Sequence, residues 1–213
     1  AHDSRGLGYV YRRQAYVIGD SIEGWADSIH RLLEYYFIPG VKKPVFDYSE
    51  IRPKGAKIAK RFIAPGPDGL RMALDKIRDL MKAAVAAGQK RLSALQCTDI
   101  IAHLADSVLS GGVRRSALMI LFSPEDSEMV NCKHGDWFTT NPQRARFNMS
   151  AALNRGEVDR SLYESLFEAM RTSGDPGLYW RDKFGVGCNP CCEIGFFPTA
   201  QNGDTGWPVC NLA

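Results

Sequence analysis

The chain has 213 residues, enough for one large domain or two small ones, with the 45% hydrophobic and 24% charged content of a globular protein. A formal charge of +3 is too small to imply a nucleic-acid partner. The longest apolar runs, such as "SALMILF" at 116–122, are too short to span a bilayer, and "AHDSRGLGYVYRR" lacks the apolar core of a signal peptide.

Taken in order, "RRQAYVIGDS" reads as a short strand ending in Gly-Asp-Ser. A helix follows over "DSIEGWADSIHRLLEYYF": Asp20 or Ser21 can cap it, and Ile22, Trp25, Ile29, Leu32, Leu33 and Tyr36 recur at helical spacing. "VFDYSEI" alternates as a strand does, and "RPKGAKIAKRFIAPGPDG" reads as an irregular, Gly/Pro-punctuated connection. Helices are predicted over 68–86 and 98–109, the second stopping at "SGG". "VRRSALMILFSP" turns into a buried strand, and "SPEDSEM" supplies a Ser cap and early acids for a helix over 125–133. "RARFNMSAAL" is a strand, "VDRSLYESLFEAMRTSG" a helix and "PGLYWRD" another extended piece. Strands and helices alternate with connections too long for hairpins, which predicts an α/β fold with a mainly parallel sheet or barrel. The absence of an initial Met suggests a processed or excised piece, and the sheet is expected to be incomplete.

Six cysteines are too few for a disulfide scaffold. Cys97 and Cys132 stand apart, and the other four crowd between 188 and 210. That distribution favours a cytoplasmic protein using thiols for chemistry or metal. Structural zinc wants two separated ligand pairs, but Cys188 and Cys191 form the only C-x-x-C pair. No metal site is therefore assigned. "CNPC" resembles a redox motif, yet Gly195 and Pro198 interrupt the helix that such a motif needs to activate its thiol.

If 188–194 is extended, alternation puts Asn189, Cys191 and Glu193 on one face and Cys188, Pro190 and Cys192 on the other. The first face offers an amide, a thiol and a carboxylate together, a set suited to acid/base or nucleophilic work. A buried loop with packed thiols is the alternative.

Asn-x-Cys-x-Glu, here "NPCCE" at 189–193, resembles the finger loop of ribonucleotide reductase catalytic subunits, and "CNL" at 210–212 resembles the strand after it. Other segments follow in the family's order: "SEIRPKGAKI" at 49–58, "LSGGVRRSALMILFSPED" at 109–126, "RARFNMSAAL" at 144–153 and "SGDPGLYW" at 173–180. "GDSIEGW" at 19–25 is similar to a segment of the adenosylcobalamin-dependent (class II) members.

The resemblance implies that the α/β fold is part of a ten-stranded α/β barrel with a central finger loop. The whole chain, 1–213, would be one fragment of the catalytic domain. Its first half-barrel would carry effector and specificity elements over 19–126, and the finger would lie at about 185–200. The implied activity is reduction of ribonucleotides to 2′-deoxyribonucleotides, with the fragment inactive alone. Carried over, Cys191 becomes the thiyl that removes the ribose 3′ hydrogen, Glu193 takes the 3′-OH proton, Asn189 holds the sugar hydroxyl, and Cys210 is one of two redox thiols. Gly112, Arg114, Arg115 and Ser116 of "SGGVRRS" become effector or base contacts. Asn148 and Ser150 line the substrate pocket, and Asp20 is a candidate for an effector hydroxyl, with a plain helix cap as the alternative.

Cys188 and Cys192 are read as packing, as are Trp25, Trp137, Trp180 and Trp207, while His103 is read as a core histidine. The implied cofactor is adenosylcobalamin. Implied partners are a ribonucleotide, a deoxynucleoside triphosphate effector, a thioredoxin-like reductant and the rest of the barrel, with no nucleic acid and no membrane. Two alternatives stay open: a reductase large subunit with a separate radical-generating subunit, and a zinc-binding Cys-cluster module.

Overall fold

The computed structural model describes residues 15–58, 62–108, 117–181, 187–192, 194–195, 202–204 and 206. The first half is a helical layer on a small parallel pair. Strand β1 (Tyr16–Val17) pairs with β2 (Phe46–Asp47), and α1 (Ile22–Phe37) connects them. Ser21 caps α1 by accepting from the Gly24 amide, with Glu23 in the first turn at the positive end of the helix dipole. Asp20 is thus not the cap.

The connection after β2 was expected to be irregular. It contains one short antiparallel pairing, β3 (Lys57–Ile58) with β4 (Phe62–Ile63). Helix α2 (Asp68–Ala86) buries Leu70, Ala73, Leu74, Ile77, Met81 and Ala84, one stripe at helical spacing. Leu70, Leu74, Ile77 and Met81 of this stripe join Ile18, Leu32, Ile51 and Ile100 in the first core cluster.

Helix α3 (Ala94–Ser107) begins four residues before the predicted start of 98. Its boundary is set by a reciprocal capping box rather than by apolar periodicity. The Ser93 hydroxyl accepts from the Gln96 amide, and the Gln96 side chain accepts from the Ser93 amide at 2.8 Å. The helix joins the two halves: Ile100 belongs to the first core and Ala102 to the second.

The second half is a parallel sheet in the order β5 (Leu118–Phe122), β6 (Phe147–Asn154), β7 (Gly177–Arg181). Strand β5 is less buried than predicted, with Phe122 its one buried residue, because no other strand flanks it among the described residues. The central strand β6 is buried along most of its length. Phe147, Met149, Ala151 and Leu153 face a core completed by Ala102, Met129, Cys132 and Leu166. The predicted helix over 125–133 shortens to α4 (Ser127–Val130), capped by Asp126. Ser123 bonds the Glu125 carboxylate instead. A second short helix, α5 (Trp137–Thr140), and a 3-10 turn (Pro142–Arg146) precede β6. Neither shows as a periodic run in the sequence. Helix α6 (Arg160–Ser173) starts at an Asp159 cap and ends on Gly174, whose φ of 78° is the left-handed exit that glycine favours.

Two buried ionic knots fix the start of β6. Arg144 forks onto the Asp99 carboxylate at 3.0 and 2.8 Å and donates to the Cys132 carbonyl at 2.7 Å. Lys133, 6% exposed, donates to the Phe147 carbonyl at 2.6 Å and to Asp175 at 2.8 Å. The second knot ties the residue that opens β6 to the approach of β7, which sets where the strand ends point.

Candidate active site

Strand alternation gives β6 two faces. Odd residues from 147 to 153 enter the core, whereas Asn148 and Ser150 turn to the loop that follows β7. The Asn148 amide donates to the Pro190 carbonyl at 2.7 Å, directly before Cys191. The Ser150 hydroxyl lies 3.9 Å from the Cys192 sulfur. Gly177 on β7 permits this approach, since a Cβ there would sit 2.7 Å from the Ser150 oxygen. The Tyr179 hydroxyl donates to the Gly187 carbonyl at 3.2 Å. Burial holds that phenol above its ordinary range, so it remains a donor.

The loop itself is a turn, not the extended segment the sequence reading assumed. Cys188 and Gly195 form a single antiparallel bridge. Inside it the Asn189 amide donates to the Ile194 carbonyl, and the Ile194 amide donates back to the Asn189 side-chain oxygen, both at 3.0 Å. The Cys192 amide closes onto the Asn189 carbonyl at 2.9 Å, and Cys192 takes a φ of 67°. Alternation does not hold through such a reversal, so a strand period does not put Asn189 and Cys191 on one face.

Burial makes the distinction instead. Cys191 is exposed at the tip, Cys188 is 5% exposed, Cys192 is half-buried, and Asn189 is 7% exposed with its side-chain oxygen bonded to the loop backbone. The packing assigned to Cys188 agrees with its burial. Cys192 lies between the Ser150 hydroxyl and the Cys188 sulfur, the latter at 3.4 Å.

Glu193, Cys210, Gly112, Arg114, Arg115, Ser116 and Trp207 lie outside the described residues. Asp20 is far from the finger in the chain and pairs with Arg52. Both line a largely apolar cavity of about 660 Å³ together with Trp25, Ile29, Ile51 and Leu104. His103 is half-buried, and burial pushes its imidazole below the ordinary range, as suits a core histidine. Trp25 packs against the first core, whereas Trp180 is 47% exposed, against the packing predicted for it. Its side of the sheet is not covered by the described residues. Among those residues, no three His, Cys, Asp or Glu side chains converge on a metal-sized site. No described helix is long and apolar enough to cross a membrane. Arg52, Gly177 and Tyr179 join these sites in the structure without being candidates from the sequence. Arg52 has a signal in "RPKG", and Gly177 and Tyr179 lie in the family-like segment "SGDPGLYW", which by pattern alone reads as an extended piece.

A Lactobacillus gasseri adenosylcobalamin-dependent ribonucleoside-triphosphate reductase is 33% identical over 96% of the chain. A probable reductase of the same kind from Dictyostelium discoideum is 31% identical over 84%. The crystal structure of a B12-dependent (class II) ribonucleotide reductase superposes on 77% of the chain with a TM-score of 0.65 and 27% identity. The chain belongs to the ribonucleotide reductase family. No family model matches it. The chain spans about a quarter of the length of these relatives, 25% of the Dictyostelium protein and 28% of the Lactobacillus one. Within this segment, the described site consists of the turn at 187–195 and the strand β6 that grips it.

Proposed function

We propose that the full-length protein containing this segment reduces ribonucleotides to 2′-deoxyribonucleotides, using adenosylcobalamin, in the cytoplasm. The observation that carries this reading is the exposure of Cys191 at the tip of a turn held by the central strand of a parallel sheet. Within this segment the Cys191 side chain is exposed, while Cys188 beside it is buried. When bound, adenosylcobalamin supplies the radical equivalent that makes a thiyl at Cys191.

In this reading the Cys191 sulfur removes the 3′ hydrogen of the ribose, and Glu193 takes the 3′-OH proton. The 2′ oxygen leaves as water after protonation by a thiol. Cys210 and its partner thiol supply two electrons and become a disulfide, after which Cys191 returns the hydrogen to carbon 3′. The thioredoxin-like reductant then restores the dithiol. Asn189 needs a different role from a free sugar clamp, because its side-chain oxygen already holds the Ile194 amide. Its amide nitrogen remains the group to face a sugar hydroxyl. Asn148 and Ser150 support the finger and border the substrate space beside it.

The effector reading rests on the cavity beside α1. The Asp20 carboxylate, paired with Arg52 in an apolar pocket, suits a nucleoside whose hydroxyls meet the carboxylate and whose base meets Trp25 and the aliphatic wall. Gly112, Arg114, Arg115 and Ser116 are proposed to relay base identity from that pocket to the substrate. The architecture is proposed to be the first half of a ten-stranded barrel, with 19–126 carrying the effector elements and about 185–200 the finger.

The test is reductase activity of the full-length gene product with ribonucleotide, dithiol reductant and adenosylcobalamin. Activity that requires the cobalamin and disappears in Glu193→Gln is expected. Full activity without cobalamin, or in Glu193→Gln, contradicts the reading.

A further inference from the structure

The turn holds a second thiol pair that the reductase chemistry does not use. The Cys188 and Cys192 sulfurs lie 3.4 Å apart. A disulfide needs about 2.05 Å between sulfurs, and these two side chains already face each other across the base of the turn. The backbone holds both residues in place through the Cys188–Gly195 bridge, the reciprocal Asn189–Ile194 bonds and the Cys192-to-Asn189 turn bond. Cys192 sits at a φ of 67°, a conformation that non-glycine residues adopt only when their surroundings fix it. The ring such a bond would close contains Pro190 and Cys191, and Cys191 points out of it to solvent.

We propose that Cys188 and Cys192 form a reversible oxidation site for hydroperoxides, cross-linking the base of the turn while leaving Cys191 as a thiol. The half-buried Cys192 reacts first. Its thiolate attacks the outer oxygen of the hydroperoxide, the O–O bond breaks, and the alkoxide leaves and takes up a proton. Cys192 is now a sulfenic acid. The Cys188 sulfur then attacks the Cys192 sulfur, the S–O bond breaks, and water departs with the Cys188 proton. Together two thiols lose two electrons and two protons, and the peroxide becomes alcohol and water. Cys188, 5% exposed, is suited to the resolving step because a bulky oxidant does not reach it directly.

The cross-link follows from the geometry alone. Only its consequence, clamping the loop that carries the radical thiol, rests on the function proposed above.

The experiment uses the full-length protein, reduced, freed of reductant and treated with stoichiometric hydrogen peroxide. It is then alkylated with iodoacetamide, digested and mapped by fragment mass spectrometry. The expected product is a Cys188–Cys192 linkage in most molecules, with Cys191 alkylated, reversed completely by dithiothreitol. Cys192→Gly, which also relieves the positive φ, is expected to remove the cross-link and leave Cys188 reduced. Recovery of Cys188 and Cys192 both alkylated, or a linkage through Cys191, overturns the proposal. Reductase activity is scored separately, so an inactive protein that still forms this cross-link counts against the proposed function and not against the oxidation site.

Discussion

The two faces of β6 hold thiols of opposite character. Beneath the strand, the Cys132 sulfur packs 3.4 Å from the Met149 sulfur, and burial pushes its thiol up to about 11 despite Arg144 and Lys133 nearby. Above it, Cys191 stands exposed on a turn gripped by Asn148. The lesson is that reactivity here depends on which way a strand residue points and on what lies beyond it. One face of β6 is a sealed apolar layer with ionic knots at its start. The other is a small polar platform whose Asn148 and Ser150 meet the turn among the described residues.

The largest expected effect comes from opening the sealed face. Lys133→Met leaves the Phe147 carbonyl and Asp175 without their cation, and should cost about 3 kcal/mol of stability. Thermal unfolding of the full-length protein measures this. An unchanged melting temperature would mean that the knot is not what fixes the strand starts.

Next is the Cys132 thiol. Its folded value lies above the unfolded one, so the neutral thiol stabilises the fold fully below about pH 9. That contribution is lost as pH rises from about 9 towards 11. Between those limits wild type should lose on the order of 2 kcal/mol more than Cys132→Ala does. Parallel pH profiles of the two proteins would show that burial does not control this thiol.

The smallest effect tests the open face. In Gly177→Ala the new Cβ meets the Ser150 oxygen at 2.7 Å, so the hydroxyl must swing away from Cys192. A stability loss of only about 1 kcal/mol is expected, since a short side chain can rotate. Reductase turnover should fall several-fold through loosening of the turn. A large stability loss with unchanged turnover would show that the platform is part of the core and not a support for the loop.

The same contrast explains what could be read from the sequence. Where many apolar residues repeat, as in α1, α2, α6 and β6, periodicity places the element and often its limits. Helix α3 escaped at its start because Ser93 and Gln96 define it through polar, reciprocal bonds. Helix α5 and the 3-10 turn are too short to carry a period. Alternation held on β6, where neighbouring strands impose the pleat, and failed at 188–194, where a single bridge and a reversed Cys192 replace the ladder. Strand alternation therefore does not single out Cys191 in the structure; its exposure does, alongside the Asn-x-Cys-x-Glu resemblance of "NPCCE". The bond from Asn148 to the Pro190 carbonyl joins residues 42 apart in sequence, a contact that no local pattern announces. The roles of Glu193 and Cys210 came from family resemblance and not from the geometry described.

The most direct measurement compares Cys191→Ser with Cys188→Ser in the full-length protein, assayed for deoxyribonucleotide formation with adenosylcobalamin and a dithiol. If Cys191 is the reacting sulfur, its replacement should abolish turnover by more than about a thousandfold, some 4 kcal/mol in the barrier. Cys188→Ser, which alters only a buried sulfur at the base of the turn, should retain most of the activity. Comparable activity in the two variants, or survival of turnover without the Cys191 sulfur, would contradict the assignment.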